Sequence, residues 1–230
     1  MGQIAQIISN ISYYLYIKYW ILKNIYYLCT MNIWFTSDTH FGHTNITGPS
    51  ISVWKDGYRN FNSVQEMNDV LVNNINKIVG EDDILYHLGD WSFGGVHNIY
   101  YFRKSLICKN IHLILGNHDQ HIKDKEFKFL DSSFNPMDLF TSVQHVFTGK
   151  IGSRDFHLSH YSHQVWPASH KSCIHLFGHS HNSLKGIGKS MDVGVDTHPE
   201  FRPYHINEIF KIMDKIPVKF IDHHESDTNR

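Results

Sequence analysis

Aspartate, asparagine and histidine recur along this chain in a pattern that could hold metal ions. Ser37-Asp38-Thr39-His40, Gly89-Asp90, Gly116-Asn117-His118-Asp119, Ser159-His160 and Gly178-His179-Ser180-His181 follow one another in order, each after a short apolar run. Together they offer two carboxylates (Asp38, Asp90), four imidazoles (His40, His160, His179, His181) and one amide oxygen (Asn117), with His118 left over. Mixed carboxylate and imidazole ligation without thiolate suits borderline divalent metals such as Mn, Fe or Zn. Seven donors are too many for one such ion. They fit two ions sharing a carboxylate, the arrangement that activates water and clamps the attacking and leaving oxygens of a phosphoryl group.

Donors spread from Asp38 to His181 can meet only if the intervening elements bring them to one edge. The apolar runs are rich in Ile, Val, Leu and Phe, which predicts buried strands over Asn32–Ser37, Asp83–Leu88, Ile111–Leu115, Val143–Phe147, Asp155–Ser159, Cys173–Phe177 and Met191–Val195. Val64, Met67, Val70, Leu71, Ile75 and Ile78 recur at helical spacing, which predicts a helix over Ser63–Val79 with Asn62 or Ser63 as N-cap. Shorter helices are expected over His97–Ile107, Ile122–Leu130 and Ile206–Met213, and a hairpin turn over Thr148–Gly152. Strands alternate with helices early and crowd together late, so the expectation is a single mixed α/β sandwich, βαβ units first and hairpins second. In α/β sheets ligands bind beyond the carboxyl ends of the strands, where all five blocks fall.

The ordered series D-x-H, G-D, G-N-H-D, H, G-H-x-H resembles the calcineurin-like metallophosphoesterase superfamily, over residues 32–196. The resemblance implies a four-layer α/β/β/α sandwich with mixed sheets and flanking helices. It also implies two divalent metal ions, Mn2+ foremost, with Fe, Zn or Ni as alternatives. By motif position Asp38, His40, Asp90 and His181 would hold one ion, and Asp90, Asn117, His160 and His179 the other, with Asp90 bridging. A water bridging the two ions, deprotonated by them, would attack phosphorus in line. His118 would assist the leaving oxygen, with Asp119 as its partner. Ser37-Asp38-Thr39-His40-Phe41-Gly42-His43-x-Asn45, Glu66-Met67-Asn68 and Val193-Gly194-Val195-Asp196 followed by Pro203 resemble the small bacterial and phage phosphoesterases of this superfamily. The protein-phosphatase and diadenosine-tetraphosphatase branches resemble G-D-x-x-D-R-G, whereas this chain reads Gly89-Asp90-Trp91-Ser92-Phe93-Gly94-Gly95. The missing arginine argues against those substrates. An adjacent His-Asp is also found in HD-type phosphohydrolases, but there it sits in a helix, and here it follows an expected strand. A metallo-β-lactamase H-x-H-x-D-H is absent, since Asn182-Ser183-Leu184 follows His181.

Two further residues are candidates for substrate contact. His43 lies three after His40 and could touch a substrate phosphate or sit at the surface. Arg59, between Gly48 and Asn62 with Trp54, Lys55 and Tyr58, could clamp a phosphate or belong to a solvated loop. His87, His112 and His175 lie inside apolar runs and read as strand residues with satisfied hydrogen bonds, and Cys108 and Cys173 read as packing residues. The expected activity is hydrolysis of a small phosphate ester or nucleotide, diesters before monoesters, because an acid at His118 helps most with a poor leaving group. The rival readings are a non-catalytic metal-binding scaffold of the same fold, and a membrane-tethered hydrolase of pyrophosphate lipids.

The chain is 230 residues long with 21 basic and 22 acidic side chains, a formal charge of −1, and this lacks the basic footprint of a protein held on duplex nucleic acid. Three cysteines without a C-x-x-C pair build neither a disulfide framework nor a thiolate zinc site, and fit a reducing, cytoplasmic setting. Residues 1–30 stand apart, with no Asp or Glu, Lys18 and Lys23 as their charges, and many Ile, Tyr and Asn. A membrane span wants about 20 consecutive apolar residues, and Asn10, Lys18, Lys23 and Asn24 interrupt this stretch; a secretory signal is not evident either. The expectation is an extension upstream of a start at Met31, with a hydrophobic membrane tether as the alternative. The catalytic domain is then expected over 31–216, followed by a polar tail over 217–230.

Overall fold

The computed structural model describes residues 13–19, 31–48, 59–123, 127–129 and 132–222. The chain divides into two compact units, Met1–Asn32 and Ile33–Arg230. In the first, residues 13–19 form a short helix, α1, with exposed side chains that include Tyr13, Tyr14, Tyr16 and Tyr19. The rest of 1–30, including the interrupting Asn10, Lys23 and Asn24, lies outside the described residues. Among the described residues no helix is long and apolar enough to cross a membrane.

In the second unit three short strands, β1 (Ile33–Thr36), β2 (Ile84–His87) and β3 (Asn110–Ile114), run parallel and in register. Two helices connect them, α2 (Val64–Ile78) and α3 (Gly95–Ser105). Ser63 caps α2 by accepting the Glu66 N–H at 3.1 Å, and the Glu66 carboxylate reaches back to the Asn62 N–H at 2.7 Å. The apolar stripe expected on α2 buries Met67, Leu71 and Ile75, which join Val96, Ile99 and Phe102 of α3 against Leu85, Ile111 and Leu113 of the sheet. Truncating one of these fully buried side chains, Leu71→Ala for instance, costs about 2–5 kcal/mol.

The first sheet is completed by β6 (Ser142–Gln144) beside β3 and by β11 (Tyr204–His205), antiparallel to β1, in the order β11-β1-β2-β3-β6. The second sheet has the order β10-β9-β8-β7, built from β7 (Val146–Ile151), β8 (Arg154–Ser159), β9 (Ile174–Phe177) and β10 (Ser190–Asp192). Its Phe156, Leu158, Ile174 and Leu176 pack on Phe35, Leu88 and Ile114 of the first sheet, and Phe35 stacks on Phe156 at 5.4 Å between ring centres. Ile206, Ile209 and Met213 of α4 (Ile206–Asp214) close this inter-sheet core. The architecture is the mixed α/β sandwich expected: two mixed sheets face each other, with helices flanking. Beyond β1 and β10 the two sheets join through a bridge between Ser37 and Gly194, so both deliver their strand ends to one place.

Several local expectations change. The run over 143–147 is not one strand: it breaks at His145, with β6 in the first sheet and β7 in the second, because the chain changes sheets there. The hairpin turn lies at Gly152-Ser153 rather than over Thr148–Gly152; Gly149 and Lys150 pair with Phe156 and Asp155, and Gly152 takes the left-handed φ of 58° that the turn requires. Among the described residues of Ile122–Leu130 the expected helix is absent. A 3-10 turn, Gln120–Lys123, ends there, and β4 (Phe127–Phe129) pairs antiparallel with β5 (Ser132–Phe134). Phe127 and Phe129 alternate with Lys128, the period of a strand. Helix α3 begins two residues before the expected His97, at Gly95, with Gly94 in left-handed conformation ahead of it. Of the expected polar tail, residues 217–222 carry neither helix nor strand, and 223–230 lie outside the described residues.

Candidate metal centre

All seven expected donors come from the loops just beyond the strands. The loop after β1 runs alongside the loop after β2: the N–H groups of Asp38, His40 and Phe41 donate to the carbonyls of Gly89, Asp90 and Trp91 at 2.9, 3.0 and 3.1 Å. This pairing places Asp38 and His40 beside Asp90. Two donor groups result, Asp38 with His40 and His181, and Asp90 with His160 and His179, the ligand atoms of each lying within 4.8 Å of one another. Asp90 belongs to both in position: its Oδ2 is 3.5 Å from His40 Nε2 and 3.5 Å from His160 Nε2. Asn117 joins the second group through Oδ1, 3.0 Å from His160 Nε2.

The backbone at these positions is unusual. Asp38, His40, Asp90, His179 and His181 all have positive φ, between 45° and 67°. Left-handed backbone is uncommon outside glycine, though more frequent for Asp and His than for most residues. It turns each side chain back over the strand ends. The glycine before Asn117 and the one before His179 serve close approach instead. A Cβ on Gly116 would overlap the Asp90 carboxylate, and one on Gly178 would overlap Ser37 Oγ and the Asp38 carboxylate.

Each donor is held by a specific partner. Asp38 accepts the Ser37 hydroxyl and the His179 N–H, and burial pushes its pKa up to about 7. His160 donates Nδ1–H to the Leu88 carbonyl at 2.8 Å, which turns Nε2 toward Asp90 and Asn117. His181 presents Nδ1 to Asp196 Oδ2 at 2.7 Å, leaving its other nitrogen for the site. Asp192 fixes the loop that carries His179 and His181 by accepting Ser180 Oγ–H at 2.7 Å and the Asn182 N–H at 3.1 Å.

Hydrogen bonding within the protein does not satisfy this donor set. His40 is buried, and neither of its ring nitrogens has a hydrogen-bond partner, where buried polar groups are otherwise almost always paired. Burial and then the Arg59 charge hold His40 well below its usual pKa, so it is neutral while its Nε2 faces two carboxylates. At His160 the bond to Leu88 leaves the Nε2 lone pair facing two acceptors, a conflict that only a cation or a second proton resolves. With no cation bound the proton is favoured: burial opposes it, but the Asp90 hydrogen bond and the Asp38 and Asp90 charges raise the pKa to about 9. Asp90 itself is lowered, its burial outweighed by His160. Orphaned nitrogens, facing acceptors and an all nitrogen-and-oxygen donor set fit divalent cations.

His118 stands at the rim with 42% of its side chain exposed and Nε2 4.0 Å from Asp90 Oδ2, and its backbone N–H donates to Asp90 Oδ1 at 2.9 Å. His43 stacks on Phe93 at 3.8 Å, Phe93 in turn packs on His118 at 4.7 Å, and burial pulls His43 down to about 4. A recess of about 230 Å³ lined by Ser92, Phe93, Gly95, Asn117, His118 and His121 opens beside them.

Two expected roles are corrected. Asp119 does not partner the His118 ring. Its oxygens accept the backbone N–H groups of Asp90 at 2.8 Å, Trp91 at 2.9 Å and Gly116 at 2.8 Å, so it splices the loops after β2 and β3. Arg59 is not a phosphate clamp: its side chain is 1% exposed, and its guanidinium is spent on Asp196 and on the carbonyls of Asp38 and Thr39. Asp196 is the residue that sequence reasoning left without a role, although the turn Val193-Gly194-Val195-Asp196 after a strand was its signal. The strand histidines behave as expected. His87 bonds Thr39 Oγ1 at 2.9 Å, His112 bonds Ser142 Oγ at 2.8 Å, and His175 accepts the His163 N–H at 2.9 Å. Cys108 and Cys173 are buried and unpaired.

The profile of the calcineurin-like phosphoesterases matches residues 31–202. An uncharacterized protein of Methanocaldococcus jannaschii is 45% identical over 58 residues, which are 25% of this chain and 29% of that protein, so the match spans less than a third of the relative's length. Among solved structures, a protein of unknown function from Aquifex aeolicus superposes with a TM-score of 0.57 at 20% identity, covering 80% of this chain and 100% of that one. An archaeal phosphodiesterase gives a TM-score of 0.41 at 20% identity, over 71% of this chain and 82% of that one.

Proposed function

The chain belongs to the calcineurin-like phosphoesterase family, and on that premise we propose that it is a dinuclear metal-dependent hydrolase of phosphate esters, acting on diesters in preference to monoesters. The observation that carries this reading is the placement of Asp90, whose Oδ2 lies 3.5 Å from one imidazole of each donor group. Asp38, His40 and His181 with Asp90 would hold one ion, and His160, His179 and Asn117 with Asp90 the other. Divalent ions there supply Lewis acidity, lowering the pKa of water and neutralising phosphate charge. Manganese suits the donors, with Fe, Zn and Ni as alternatives.

The chain's own residues then divide the remaining work. His118 donates a proton to the departing ester oxygen from its half-exposed ring, and its backbone bond to Asp90 ties that acid to the bridging carboxylate. An alkoxide leaving group needs this proton most, which supports the preference for diesters. His43 and Phe93 wall the approach beside His118, which supports a contact between His43 and a substrate oxygen. The substrate is a small phosphate ester or nucleotide. Buried, unpaired Cys108 and Cys173 support residence in a reducing compartment, the cytoplasm.

The test combines metal content with turnover. Protein equilibrated with Mn2+ and desalted is expected to carry two ions per chain and to hydrolyse bis-p-nitrophenyl phosphate faster than p-nitrophenyl phosphate. Two ions without turnover of either ester would favour a metal-binding scaffold. Faster turnover of the monoester would reverse the substrate preference.

A further inference from the structure

Arg59 and Asp196 form a bonded pair across 137 residues of sequence. Nε donates to Asp196 Oδ1 at 2.7 Å and Nη2 to Oδ2 at 2.9 Å, the fork-to-fork geometry that makes arginine–carboxylate pairs directional. The remaining donors of the same guanidinium do not reach solvent. Nη1 donates to the Thr39 carbonyl at 2.8 Å and Nη2 also to the Asp38 carbonyl. Asp196 Oδ2, on its other side, takes His181 Nδ1 at 2.7 Å. The backbone of Arg59 is itself anchored: its N–H donates to Ile46 O at 2.7 Å and its carbonyl accepts Gly48 N–H at 2.8 Å.

All these contacts converge on one half of the centre. The guanidinium grips the loop that carries Asp38 and His40, and through Asp196 it orients His181, so the three residues of one donor group share one support. The other half is supported differently: His160 is oriented by the Leu88 carbonyl, and Asp90 by the backbone and Asp119. A buried ion pair of this kind is costly to desolvate, and breaking one by removing a partner is more costly still. Its placement against one donor group points to a role in that group's geometry. The arginine also cancels the charge of Asp196, so His181 gains a fixed orientation without a further net negative charge behind it.

We propose that Arg59 and Asp196 are positioning residues that serve the Asp38–His40–His181 group before the other, holding the ion bound there while leaving the Asp90–His160–His179 group, which they reach only through Asp38, able to bind its own. This rests on the two-ion reading above. Arg59→Lys keeps the charge but loses the fork, and Asp196→Asn keeps the shape and one oxygen. Each variant, loaded with Mn2+ and desalted beside the unaltered protein, is read by elemental analysis, by the exchange-coupled electron paramagnetic resonance signal of an adjacent Mn pair, and by circular dichroism.

The expected result is one ion per chain in both variants against two in the unaltered protein, loss of the coupled signal, appearance of an isolated-ion signal, and an unchanged fold. Two ions with a wild-type coupled signal in both variants overturn the proposal, as does equal loss from both halves, which would mean a general structural role. If Arg59→Lys fails to fold, Asp196→Asn decides by the same readings, and failure of both to fold also overturns the proposal in favour of a structural role. An unaltered protein that never binds a second ion defeats the two-ion reading itself, an outcome distinct from normal loading of the variants.

Discussion

Oδ2 of Asp119 accepts the backbone N–H of Asp90 at 2.8 Å while the same oxygen accepts Gly116 N–H at 2.8 Å, so one buried carboxylate sets the spacing between the bridging ligand and the loop that carries Asn117 and His118. Asp119→Ala leaves the N–H groups of Asp90, Trp91 and Gly116 without their acceptor. Unsatisfied buried groups cost about 1–3 kcal/mol each, so the three together set a loss of roughly 3–9 kcal/mol, read as a lowered urea midpoint. Because Asp119 does not touch the His118 ring, the more conservative Asp119→Asn is expected to leave the dependence of kcat on the leaving group as it is in the unaltered protein. A dependence that steepens as it does in His118→Ala would restore the pairing of His118 with Asp119.

Asp90 and His118 separate metal holding from proton transfer. Asp90→Asn removes a charged oxygen lying 3.5 Å from an imidazole of each donor group, and elemental analysis is expected to find at most one ion per chain, with turnover near background. His118→Ala is expected to keep both ions and lose about 10²–10⁴-fold in kcat, the usual contribution of a positioned acid. The loss should grow as the leaving group worsens, from nitrophenolate to an alkyl alcohol. Equal losses across such a series would remove His118 from the role of acid.

Close packing at a glycine carries its own expectation. Gly116→Ala drives a methyl group into the Asp90 carboxylate, and overpacking of this kind costs about 1–3 kcal/mol. Displacing that carboxylate disturbs both donor groups at once, so the variant should lose both ions before it loses its fold. Metal content measured beside a circular dichroism melt checks this, and two retained ions would contradict it.

Acid should weaken the fold through histidines outside the centre. Burial holds His87 and His175 down to about 3 and His157 to about 4. The unfolded chain binds these protons near pH 6.5 and the folded protein only near 3–4. Stability is therefore full above 6.5 and declines as the pH falls toward the folded values, by up to about 1.4 kcal/mol per pH unit for each group. Urea midpoints between pH 7.5 and 4.5 should fall accordingly, and less steeply in His157→Gln. A flat midpoint over that range would refute this.

The site was legible because its donors follow strands, and parallel strands in register must present their ends together. What sequence could not convey was which way each residue faces and what it meets. His118 and Asp119 are neighbours in the chain, yet one opens to solvent and the other turns inward to three backbone amides. Arg59, set among Trp54, Lys55, Gly57 and Tyr58, has the surroundings of an exposed loop; its burial depends on Asp196, far away in sequence. Helix α2 and β1–β3 were readable from period and composition because a single pattern spans each. The stretch over 122–130 was not, since its few apolar residues satisfy a helical and an alternating period about equally.

The left-handed backbone at five of the expected ligands bears on how such a site would decay. A side chain in that conformation costs about 1–2 kcal/mol where glycine costs almost nothing. Asp38, His40, Asp90, His179 and His181 thus sit where conformational preference alone favours glycine. Selection for chemistry must hold them there. In a descendant released from that selection, glycine would relieve the backbone at these positions, most freely at His40, whose ring nitrogens bond nothing within the protein. Glycine at several of the five, in a chain that keeps the β1–β3 pattern, is therefore the signature by which a silent relative could be told from a working one.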